Sequence, residues 1–126
     1  MRHLPRPTDA ELAILRVLWE RGASTVRQVH EALADTRETG YTTTLKLMQI
    51  MADKGLVTRD ESSRTHVYEA RVSQERTQRQ LVNDLVDRAF GGSAAELVLR
   101  ALATRKTTDE ELREIRRLID EAREDR

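Results

Sequence analysis

The chain contains no cysteine. Disulfides, thiolate metal sites and thiol catalysis are therefore excluded. Aromatic residues make up 3% of the 126 residues, so one chain buries a modest core and gains from association with a second copy. No stretch approaches the roughly 18 apolar residues of a membrane helix. The opening MRHLPRPTDAEL lacks the apolar run of a signal peptide, and a cytoplasmic protein without membrane contact is expected. Net charge is also missing, since Lys+Arg and Asp+Glu both count 22. A nonspecific nucleic-acid coat would be strongly basic, whereas a specific DNA reader needs a positive field only where it touches. There is no Gly-rich phosphate loop, HExxH or nucleophile elbow. No catalytic residue, cofactor or enzyme activity is expected. His3, His30 and His66 lack ligand spacing, so no metal site is expected either.

What the chain does have is charge, at 35%, beside 38% hydrophobic residues, arranged with helical periodicity. Thr8-Asp9-Ala10-Glu11 reads as a capping box, in which side chains satisfy the helix's orphan amides. Leu12, Ile14, Leu15, Leu18 and Trp19 follow at helical spacing, and Gly22 supplies a stop. Thr25 with Gln28 starts a second helix with Val26, Val29, Ala32 and Leu33 on one side. A third helix runs from Thr42 or Thr43 to Lys54, with Leu45, Met48, Ile50, Met51 and Ala52 as its buried side and Gly55 as its cap. The period then shifts to two. Leu56–Arg59 and Thr65–Ala70 read as strands around the polar turn Asp60–Arg64, which makes a β-hairpin. Helical period returns from Ser73. Gly91-Gly92 breaks it, and Ser93/Glu96 and Thr108/Glu111 give two further capping boxes.

Three helices, a hairpin and three more helices predict a mostly α (α+β) chain. An N-terminal winged helix-turn-helix would occupy residues 1–72 and a three-helix dimerisation domain residues 73–126. In a winged helix-turn-helix the third helix enters the major groove and the hairpin reaches the backbone. Tyr41, Thr42, Thr43, Thr44 and Lys46 are the candidate DNA-binding residues of that helix. Threonine can donate to a phosphate or a base edge, and its methyl can meet a thymine methyl. The plain alternative is that the threonines only start the helix. Arg64 and His66, with Arg59 opposite, are the wing's candidates for phosphate contact, while Asp60 and Glu61 oppose it. Leu81, Leu85, Phe90, Leu97, Leu102, Leu112, Ile115 and Ile119 form stripes too broad for a separate core of some fifty residues. Dimerisation through them, or folding back on the N-terminal domain, would bury them. A winged helix can also bind protein instead of DNA, and an activator stays open beside a repressor.

The segments TDAELAILRVLWERG, YTTT…KGLV, THVYEA and LVNDLVDRAFGGSAAELVLRAL together resemble the penicillinase-repressor family (BlaI/MecI/CopY type) over nearly the whole chain. The resemblance implies a homodimeric repressor whose winged domains bind the halves of a palindromic operator and whose C-terminal helices interlock. It further implies a partner that relieves repression, an inactivating protease or sensor. In several such proteins the protease cuts an Asn-Phe bond. The matching stretch, Leu97–Leu102, would place the bond near Arg100-Ala101 and holds no such pair. The cysteine cluster of copper-responsive relatives is absent too.

Overall fold

In the computed structural model, residues 6–125 are described. His3 lies outside them. The elements are α1 (Asp9–Arg21), β1 (Ser24–Thr25), α2 (Val26–Leu33), α3 (Tyr41–Lys54), β2 (Val57–Asp60), β3 (Val67–Ala70), α4 (Gln74–Ala89), α5 (Ala94–Thr104) and α6 (Asp109–Glu124). The expected order is present, with one addition. Ser24 and Thr25 form a third strand, and the sheet runs β1-β3-β2, antiparallel throughout. Two residues have no readable period, and Thr25 doubles as the cap of α2. The hairpin strands are also shorter than expected. Leu56 precedes β2 because its amide closes the end of α3, donating to the Met51 carbonyl at 2.9 Å. Thr65 and His66 sit in the wing loop, where the Thr65 carbonyl accepts the Ser63 hydroxyl at 2.8 Å.

Local chemistry explains the helix starts. Thr8 with Glu11, Thr25 with Gln28 and Thr108 with Glu111 form reciprocal capping boxes. The expected box at Ser93 is one-sided: its hydroxyl accepts from the Glu96 amide, and no return bond forms. Ser73, not recognised as a cap because no Glu or Gln stands three residues on, accepts the Arg76 amide at 3.1 Å. Gly55 ends α3 in the left-handed region at φ 83°. Its amide donates to Ala52 and that of Leu56 to Met51, the paired bonds of a Schellman motif.

Tertiary contacts divide the chain into two compact units, one ending at Val82 and the other starting at Asn83, inside α4. The first unit holds the core. Ile14, Leu15 and Leu18 of α1 join Val26, Val29 and Leu33 of α2, Met48 and Met51 of α3, and Leu56, Val57 and Tyr68 of the sheet. The Trp19 Nε1–H donates to the Val72 carbonyl at 2.9 Å, tying α1 to the chain beyond the wing. In the second unit, α5 and α6 have no buried residue. Arg117 pairs with Glu114 and Glu121 along the exposed side of α6.

One acidic side chain is buried among the described residues of the first unit. Glu11 is 2% exposed, and its carboxylate accepts the Thr8 amide at 2.8 Å and the Lys54 ammonium at 2.8 and 3.0 Å. Burial by itself pushes the carboxyl up. The hydrogen bonds from Lys54 and Thr8 outweigh it and hold the group below the ordinary value of 4.5. A carboxyl depressed in the folded state stabilises above its unfolded value, and that contribution is lost as pH falls through the folded one. Glu11→Gln is therefore expected to lower urea stability at pH 7 by about 1–3 kcal/mol, a buried-pair figure reduced for the half-open lysine. The gap to the unmodified chain should close as pH is taken below 4.5. An equal gap at both pH values would show that the bridge does not carry this stability.

Candidate nucleic-acid interface

Helix α3 has an inner side made by Thr44, Met48 and Met51. Its helical spacing leaves Thr42, Thr43, Lys46, Gln49, Ile50 and Asp53 exposed. Thr44, expected among the contact residues, is corrected by this arrangement. It is fully buried, and its hydroxyl donates to the Gly40 carbonyl at 3.2 Å. Ile50 is corrected in the opposite sense. Expected in the core, it is 40% exposed, because the inner positions fall at 44, 48 and 51 and it lies a hundred degrees off that line.

The threonines do not cap this helix. Gly40 holds the N-cap position with no side chain to accept a bond, and neither α2 nor α3 has an acid in its first turn. The first amides of α3 therefore point outward without a protein acceptor, a setting that favours an anion. The wing comes close on one side. A groove of about 500 Å³ is lined by Tyr41, Leu45 and Gln49 of α3, by Thr25, Val26 and Arg27 at the start of α2, and by Arg64, Thr65, His66 and Tyr68 of the wing. Tyr41 is 44% exposed and meets the His30 ring edge-on, with centroids 5.9 Å apart.

The structure thus brings Tyr41, Arg64 and His66 to one groove, with Thr42, Thr43 and Lys46 on the exposed surface of the same helix. Arg27 and Gln49 join them and were not expected. Arg27 lies inside the α2 capping box, between Thr25 and Gln28, and that placement was the available signal. Gln49 lies seven residues after Thr42, on the same side of the helix. Arg27, Lys46 and Arg64 have no acidic partner among the described residues. The other basic side chains of the wing are engaged. Arg59 is raised above its ordinary value by its bond with the Tyr68 hydroxyl and by nearby Glu61, which its Nε approaches to 3.7 Å. His66 lies 3.9 Å from the same Glu61. Asp60 turns into the loop, accepts the Ser62 amide at 2.9 Å and is held below the usual carboxylate range by that bond.

Among the described residues, no group of three His, Asp or Glu side chains is placed to hold a metal ion, and no helix is long and apolar enough to cross a membrane. A family model, that of the penicillinase repressor, matches residues 7–121. The chain belongs to the penicillinase repressor family. Its N-terminal part has the winged-helix fold. The penicillinase repressor of Bacillus licheniformis is 22% identical over 121 residues, covering 96% of this chain and 94% of that protein. The transcriptional regulator BlaI of Mycobacterium tuberculosis is 44% identical over 69 residues, covering 54% of this chain. The match spans half the length of that relative. Among solved structures, the DNA-binding domain of the repressor BlaI has a TM-score of 0.52 at 23% identity, covering 59% of this chain and 90% of that one. Monomeric Bacillus licheniformis BlaI in complex with the blaP half-operator gives 0.51 at 23% identity, over 60% and 92%. These two likenesses establish the winged-helix fold.

The division of the threonines can be tested by stability alone. Thr42→Asn and Thr43→Asn are expected to move urea stability by less than about 0.5 kcal/mol, as exposed substitutions do. Thr44→Asn forces a larger polar group into the core and should cost about 2–3 kcal/mol. Equal costs at 43 and 44 would contradict the orientation of α3.

Proposed function

We propose that this family member is a DNA-binding transcriptional repressor that acts as a homodimer on a palindromic operator. The observation that carries the reading is the meeting of two cations without an acidic partner, Arg27 of α2 and Arg64 of the wing, in one groove beside α3, whose exposed surface carries a third, Lys46. They surround helix starts that carry no acid. Phosphates favour that field and those free amides. Thr42, Thr43, Lys46 and Gln49 face outward at the spacing with which a recognition helix meets base edges. The relative solved with a half-operator has the same fold, which supports placing α3 in the groove. Net neutrality fits, because a small positive patch is used twice in a two-fold dimer. The place of action is then the cytoplasm.

Dimerisation is supported by what the second unit leaves open. Leu85, Leu102, Leu112 and Ile119 are 38–51% exposed, while Leu81, Phe90, Leu97 and Ile115 are half-buried. Apolar surface of this extent calls for a cover. Pairing through residues 73–126 would supply it and set two α3 helices about one DNA turn apart. Relief by cleavage of an Asn-Phe bond does not fit Leu97–Leu102.

Selection of bound duplexes from a random pool at several salt concentrations tests the reading. An inverted repeat should emerge, with affinity falling steeply as salt rises. Arg27→Ala and Arg64→Ala should each reduce the salt slope by about 1 without changing the preferred sequence. No enriched motif, or binding indifferent to salt, would contradict DNA recognition and favour a protein-binding winged helix. Leu102→Asp should give monomers in analytical ultracentrifugation and lose cooperative binding to the full repeat. A variant that stays dimeric would contradict the assigned surface.

A further inference from the structure

Ile50 is the one large aliphatic side chain of α3 that is more than a third exposed. It stands seven residues after Thr43 and four after Lys46, so the three share a helix side. It is flanked by Gln49 and Asp53, both exposed. Its burial would improve no part of the core, which is filled from the opposite side by Met48 and Met51, each fully buried. An aliphatic group among cations and hydroxyls gains nothing from phosphates. In the major groove the base edges are polar except for one apolar group, the C5-methyl of thymine.

We propose that Ile50 determines sequence specificity by packing against a thymine methyl in each half-site. The proposal rests on the DNA-binding reading above and adds to it the base that this position selects. Lys46 and Thr43 hold the helix against the strand, and the branched Ile50 side chain fills the space beside the methyl. The contact excludes water from two apolar surfaces and requires no hydrogen bond. Cytosine at that position would leave the Ile50 side chain against a polar N4 amine and no methyl.

The test uses the full chain and the duplex enriched from the random pool, with its thymines replaced one at a time by deoxyuridine, which removes only the methyl. One thymine per half-site is expected to show an affinity loss of about four-fold, the worth of one buried methyl-sized group. Placing 5-methylcytosine there, paired with guanine, should bind more tightly than cytosine does. In Ile50→Ala the same thymine-to-uracil change should have no effect, while Ile50→Val should keep most of it. The salt slope should be the same in all three proteins. The inference is overturned if no thymine-to-uracil change weakens binding, if the enriched motif holds no thymine, or if Ile50→Ala keeps the full penalty. Failure of the DNA-binding reading would show separately, as absence of binding to the parent duplex before any base is changed.

Discussion

The surface of α3 depends on a buried carboxylate. Glu11 accepts the Thr8 amide and the Lys54 ammonium, so the first turn of α1 and the last residue of α3 are held by the same group. A buried carboxylate is costly unless paired. Lys54 answers that cost from a helix C-terminus, where a cation is also favoured by the helix dipole. Gly55 then turns the chain in the left-handed region and drops Leu56 into the core. The C-terminal end of α3 is thereby fixed in place. Its N-terminal end carries no side-chain cap, and its outward groups are spared from structural duty. The same helix is rigid at one end and available at the other, as a recognition element requires.

Much of this was legible in the sequence because local rules and packing agree. Three of four capping boxes, the stops at Gly22, Gly55 and Gly91-Gly92, and the change from period 3.6 to period 2 all name elements that the structure contains. What escaped notice was non-local. β1 is two residues long and exists because β3 pairs with it, Ser24 opposite Tyr68. Glu11 read as a capping residue and is one, but its bond to Lys54 spans 43 positions. No pattern of neighbours reveals such a partner.

The candidate site was legible by region and less so by residue. Tyr41, Arg64 and His66 line one groove and Thr42, Thr43 and Lys46 are exposed on α3, but a run of three threonines on a helix cannot all face one way. Thr44 turns inward at a hundred degrees from Thr43, and the same rotation carries Ile50 outward. In the sequence Ile50, an apolar residue two places from Met48, reads as part of the buried side, and its angle on the helix decides otherwise. Arg27 and Gln49 come to the groove through the crossing of α2 and α3 with the wing, which sequence spacing does not encode. The wing's own charges are divided by geometry as well. Glu61 and Tyr68 engage Arg59, while Arg64 is left unpaired.

A chain with no net charge can hold a small positive patch if many of its acids are used elsewhere. Here they start helices, as Asp9 and Glu111 do, bridge turns, as Asp60 does, or pair along α6. The most direct test of the account is a titration of the isotope-labelled full chain with its selected duplex, followed by backbone amide NMR. The account predicts that the largest shifts fall on Tyr41–Ile50, on Arg27 and on Arg64–His66, with the free amides of Tyr41, Thr42 and Thr43 among them. Shifts confined to α5 and α6, with α3 and the wing unchanged, would contradict it.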